Sequence, residues 1–180
     1  MATAIFVCEH ASWEGRVRSV LHRLPPVDGA PVLIVASRGL RDRYGAVHAG
    51  AFLRKRRIAF DCTRSEFPRV FCHEIFHFVW VRAGNDVRLE FEDLLKAEWR
   101  SGARGELGWS AEWRKRDLSA GDVLDRSRRW REYCCESFCD TAAWLYCGVE
   151  THEEYTLERR FRRRRRLWFE QNVGLSGLSI

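Results

Sequence analysis

Within Phe71-Cys72-His73-Glu74-Ile75-Phe76-His77-Phe78-Val79-Trp80, two imidazoles stand four positions apart with a carboxylate directly after the first. On an α-helix that spacing puts His73 and His77 on one face, so both rings can reach a single metal ion. Glu74 is then placed to take a proton from a metal-activated water, and the chemistry open to the trio is hydrolysis. Nearly all the flanking residues are large and apolar, which predicts a helix running through the core. Two histidines and a glutamate there are costly unless something pairs with them, and zinc is the expected partner. Without a metal they would be core histidines bonded to backbone and a glutamate on an ordinary helix face.

Two histidines do not complete a catalytic zinc site, which takes three protein ligands and leaves a fourth position for water. Phe78-Val79-Trp80-Val81-Arg82-Ala83-Gly84 holds no further histidine, so the third ligand comes from farther along. Glu136-Ser137-Phe138-Cys139-Asp140 supplies two carboxylates four apart on one helix face. Glu136 is the candidate ligand. Asp140 is the candidate acceptor for the far nitrogen of a ligand histidine, with His73 the expected one. Glu132, Glu150 and His152 stay open as alternatives. The bland reading of Glu136 and Asp140 is a helix face paired with arginines such as Arg129. Cys135 and Cys139 share a face as well, but the chain has no Cys-x-x-Cys pair, so its thiols are expected to be inert core residues.

His73-Glu74-x-x-His77 followed by a helical Glu136-x-x-x-Asp140 resembles the gluzincin pattern of thermolysin-like metallopeptidases. In size, and in the order strand, strand, helix, the chain looks more like the minimal cytoplasmic gluzincins of the ImmA/IrrE type. The resemblance covers roughly residues 31–148, with a longer insertion between the two elements than in small members of that group. It implies zinc held by His73, His77 and Glu136, Glu74 as general base, and a peptide bond in a regulatory protein as substrate.

The elements that must position these groups are legible in outline. Apolar positions at Trp13, Val17, Val20, Leu21 and Leu24 predict an amphipathic helix from about Glu9 to Arg23, ended by Pro25-Pro26. Residues 31–37 form a short β-branched run and read as a buried strand. Residues 38–45 read as a loop. Residues 46–60 read as a strand pair turning at Arg54-Lys55-Arg56. Its first strand, Ala46–Leu53, is a candidate edge along which a peptide could add by main-chain hydrogen bonds, a plain hairpin being the alternative. Ser65 is the expected N-cap of the central helix, which should run to Arg82 and stop at Gly84-Asn85. Further helices are expected over 86–100, over 109–116, from about Asp122 through Cys147, and over 151–171, with a frayed tail after Gly174. The fold class is therefore α+β: a small twisted sheet of about three strands packed on the metal-binding helix, with more helices C-terminal, in one zincin-like domain over 1–180.

With 180 residues, 46% apolar and 31% charged, the chain has the composition of a globular domain. No stretch is long and apolar enough for a membrane span, and the N-terminus lacks the basic start of a signal peptide. The expected location is cytoplasmic, with the seven cysteines reduced. The net charge of +6 comes largely from Arg159-Arg160-Phe161-Arg162-Arg163-Arg164-Arg165-Arg166. That run is expected to be a solvated helix face, with Leu157, Phe161, Leu167 and Trp168 inward and Glu153, Glu154 and Glu158 partly balancing the charge. The alternative is a non-proteolytic regulatory protein that uses this helix to contact nucleic acid or an acidic partner.

Overall fold

A computed structural model describes residues 5–42, 45–173 and 177–180. In chain order the elements are β1 (Phe6–Cys8), α1 (Glu14–Leu21), β2 (Val27–Asp28), β3 (Val32–Ala36), β4 (Arg41–Asp42), β5 (Gly45–Ala46), β6 (Ala49–Phe52), β7 (Arg57–Phe60), α2 (Phe67–Arg82), α3 (Asn85–Arg100), α4 (Trp109–Arg116), α5 (Ala120–Leu124), α6 (Arg128–Tyr146), α7 (Arg159–Asn172) and β8 (Leu178–Ser179). Helix and strand are mixed, with a small sheet and several helices, in keeping with an α+β class.

The main sheet has four strands in the order β1-β3-β7-β6, one more than expected, because Phe6–Cys8 adds a strand beyond β3. β1, β3 and β7 run parallel, and β6 runs antiparallel to β7 at the edge. In β3, Val32 and Ile34 are fully buried while Leu33 between them is exposed, the period of two that a one-sided sheet requires. Of the strand pair anticipated over 46–60, only Ala49–Phe52 and Arg57–Phe60 are paired, as β6 and β7, turning through Leu53–Lys55 with Arg56 in the left-handed region. Ala46 belongs instead to β5, which pairs antiparallel with β4 in the stretch read as a loop.

The helix α2 lies on this sheet and is buried nearly all round. Its sheet side packs Phe67 and Phe71 against Phe60 in tilted contacts, with ring centroids at 5.1 and 6.0 Å. Its other side meets α6, where Trp80 lies 5.0 Å and Phe76 5.8 Å from Phe138. Truncating any one of these phenylalanines would cost about 3–5 kcal/mol. The α2 boundaries fall close to expectation, but the caps do not. Ser65 accepts no helix N–H; Thr63 Oγ1 accepts from Glu66 N instead. The helix stops because Ala83 turns extended (ψ 134), and Gly84, at φ −59, leads into α3.

Three further expectations are corrected. The long helix from Asp122 is two helices. Asp122 closes a capping box with Ser119 on α5, and the chain then breaks at Arg126 (φ 48) before Ser127 caps α6. The last helix starts at Arg159 rather than 151. The end of the chain is docked: Leu178 and Ser179 pair in parallel with Val27 and Asp28, and Leu178 and Ile180 are buried. Residues 174–176 lie outside the described residues.

The arginine run is not wholly a solvated face. Arg165 has no exposure and donates to Glu98, Glu106, Ser137 and Thr141. Glu106 also accepts from Lys115 Nζ at 2.8 Å and from the Tyr133 hydroxyl at 2.7 Å. This network joins α3, α4, α6 and α7 behind the face that α6 turns to α2. Leu167, expected inside, is 46% exposed. Among the described residues, no helix is long and apolar enough to cross a membrane.

Candidate metal centre

The close packing of α2 on α6 brings four side chains to one point. His73 and His77 project from α2, Glu136 and Asp140 from α6. His73 Nε2 lies 3.2 Å from His77 Nε2 and 3.2 Å from Glu136 Oε2, and His77 Nε2 lies 4.0 Å from the same oxygen. Four-coordinate zinc, with bonds of about 2.0–2.1 Å, sets its ligand atoms roughly 3.3 Å apart. Two edges of the triangle match that spacing and the third is slightly open, so a small cation fits between the three atoms after a sub-ångström adjustment.

Each imidazole is held from behind. His73 Nδ1–H donates to Asp140 Oδ1 at 2.7 Å, which fixes the tautomer and turns the Nε2 lone pair toward the shared point. Asp140 is fixed in turn, its Oδ2 accepting from Ala111 N at 3.0 Å in the first turn of α4. Gly108 makes that approach possible, since a Cβ there would stand 2.3 Å from the Asp140 carboxylate. The Sγ of Cys135 sits 3.5 Å from His77 Nδ1. Arg114, also on α4, reaches Glu136 Oε1 at 3.1 Å, which leaves Oε2 facing the histidines.

Charge follows this geometry. Burial alone would raise the Glu136 carboxyl, but the His73 hydrogen bond, with the charges of His77 and His73, holds it down at about 2. Burial opposes charge on His73 too, yet Asp140 and Glu136 push it well above its usual value. His77, likewise opposed by burial, is raised to about 9 by Cys135 and Glu136. The ionised Glu136 thus favours positive charge beside it. A divalent cation at the shared point would supply that charge and release protons.

Glu74 is buried, and desolvation raises its carboxyl above the ordinary range. It feels His77, His73 and Glu136 as neighbouring charges, and it accepts a hydrogen bond from the Ala51 backbone on β6. The edge strand and the candidate base are therefore in contact.

Sequence reasoning set Cys139 aside as a core thiol. Its sulfur lies within 4.8 Å of both imidazoles, so the histidine pair has a second possible third partner. Burial drives the Cys139 thiol well above its usual value, which keeps it protonated, whereas Glu136 is ionised. The ready-made anion makes Glu136 the better ligand. The alternatives lie elsewhere: Glu132 pairs with Arg128, His152 reaches Glu66 at 3.4 Å, and Glu150 lines a separate cleft against α7. The insertion between the two motifs also belongs to the centre, since α4 supplies Arg114 and the Ala111 N–H. Only the helix itself was legible there, because no local signal says which side chains it turns inward.

Comparison with known protein families, with curated proteins and with solved structures gives no match. The likeness to gluzincins thus rests on the residues themselves.

Proposed function

We propose that this chain is a zinc metallopeptidase of minimal, zincin-like gluzincin design, acting on a protein or peptide. The observation that supports the reading most is the convergence of His73 Nε2, His77 Nε2 and Glu136 Oε2, with Asp140 locked on the far side of His73. His73, His77 and Glu136 would hold the metal. Zinc bound there would supply Lewis acidity toward a scissile carbonyl and lower the pKa of a water.

The chain's own residues do the rest. Glu74 takes a proton on its carboxylate and returns it to the leaving amine; burial moves its pKa toward neutrality, which suits both halves of that task. Asp140 keeps the proton of His73 on Nδ1, and Arg114 keeps one oxygen of Glu136 turned away from the histidines. β6 offers the outer edge of the sheet to an extended peptide, beside Glu74. All seven cysteines are free thiols, which supports a reducing compartment, and the cytoplasm is the proposed location.

Metal analysis of purified wild type should find about one zinc per chain. Glu74→Gln should keep that metal and lose hydrolysis of a denatured protein substrate. If wild type takes up no transition metal under metal-replete conditions, the proposal fails.

A further inference from the structure

Away from the metal centre, α7 and the C-terminal end of α6 enclose a cleft of about 700 Å³. Arg159, Arg162, Arg163 and Arg166 line it from α7, and Trp144 and Glu150 lie among the residues opposite. The arginines stand at i, i+3, i+4 and i+7, one face of the helix. Two of the three glutamates expected to balance them are used elsewhere. Glu154 binds Arg69 and the Trp109 N–H, and Glu158 binds Arg160. Among the described residues, no carboxylate lies in ion-pair range of any of the four. Arg162 gives its Nε and one terminal nitrogen to the Leu157 and Tyr155 carbonyls, so it is held in place with its charge uncompensated. The other three are exposed.

We infer that this cleft binds a single strand of nucleic acid. Arginine is the side chain whose planar fork matches phosphate, and no lysine is among the residues lining the cleft. Arg159, Arg163 and Arg166 stand along about 10 Å of one helix face, so each can meet a separate phosphate of a strand laid along the cleft. The Arg166 guanidinium lies over the Trp144 ring, 4.8 Å from its centroid, and forms a flat cationic platform on which a base can stack. An acidic peptide would use the arginines but has no use for that platform. A duplex is read by elements that protrude into a groove, whereas this surface is concave. The inference does not depend on the metal centre.

The test uses the full chain and fluorescence anisotropy with a labelled single strand of about ten mixed-sequence nucleotides, as RNA and as DNA. Three phosphate contacts predict that log K falls with log salt at a slope of about −2. Arg163→Gln should cut that slope by about 0.7 and weaken binding at low salt. Trp144→Leu, which keeps apolar packing, should weaken binding about fivefold or more and leave the slope unchanged. All these variants spare Arg165, because replacing it would remove the centre of the buried network. Either sugar bound preferentially, or both equally, is consistent with the inference and identifies the source. Absence of binding at about 50 mM salt would overturn it. So would an Arg163→Gln, Arg166→Gln double variant that binds like wild type, a duplex that binds more tightly than the strand, or a polyglutamate peptide that competes as well as the strand.

Discussion

Asp140 is the residue on which the metal centre turns, because its two oxygens serve two helices at once: Oδ1 holds His73 of α2, and Oδ2 accepts from the first turn of α4. Gly108 is the condition for this. Its backbone is extended (φ −175), so an added methyl meets no conformational strain there, only the Asp140 carboxylate at 2.3 Å. Gly108→Ala should therefore push Asp140 off one or both partners. The expected result is a loss of about 1–3 kcal/mol of stability from overpacking. Zinc affinity should also fall by about tenfold to a hundredfold, as when a partner behind a ligand histidine is lost. Competition against a chelating dye measures the second effect. Gly84→Ala, where nothing lies within 4 Å of the new methyl, is the control that should leave affinity unchanged. At this scale the sequence was informative where chemistry follows helix spacing, as for His73, His77, Glu136 and Asp140. Arg114, Cys139 and the Ala111 N–H were not legible, since their part comes from contacts between helices far apart in the chain.

Element by element, the sequence revealed most where apolar periodicity rules and least where buried charge does. In α7 the residues facing inward are Phe161, Arg165 and Phe169, a regular stripe with an arginine in its middle. A run of arginines hides such a position, because its acceptors, Glu98 and Glu106, belong to other elements. The missed break before α6 has a similar cause: Arg126 takes a left-handed conformation without being glycine, held by two bonds of 2.7 and 2.9 Å to Glu92. Residues 150–158 are not helical: the Thr156 and Leu157 N–H groups go to the Glu106 carbonyl, while the Glu154 carboxylate caps α4 and binds Arg69. The buried network carries its own pH signature. Burial would raise the Glu106 carboxyl, but Arg165 and Lys115 hold it at about 2, against an ordinary 4.5. A group depressed on folding binds fewer protons in the native state. Its contribution, on the order of 3 kcal/mol, is present above its unfolded pKa and lost as pH falls from about 4.5 toward 2. Urea unfolding between pH 6 and about 3 should therefore show a steep loss of stability. Glu106→Gln should be less stable than wild type at neutral pH and should lose less across that acid window.

For the molecule as a whole, the metal centre is a long-range clamp. Its three donors come from α2 and α6, and the side chains that orient them come from α4 and α6, so one ion would tie the sheet-bound helix to the C-terminal helical layer. The apolar core already joins these layers through Phe76, Trp80 and Phe138. The metal-free chain should accordingly stay folded but lose whatever the ion adds. A ligand that binds only the native state stabilises it by about 2.7 kcal/mol at a hundredfold excess over Kd. For a chain of this size, that is a rise in Tm of about 5–10 °C. Thermal unfolding of wild type should show this rise with zinc and lose it with a chelator. His73→Ala should abolish the response, since it removes a donor, and so should Glu136→Ala, whereas Glu74→Gln should retain it in full, because Glu74 is proposed to handle protons and not to hold the ion. That contrast separates binding from catalysis without any substrate in hand. A wild type whose Tm ignores both zinc and chelator would leave His73, His77 and Glu136 as a buried charge cluster, and the assignment of hydrolysis to Glu74 would fall with it.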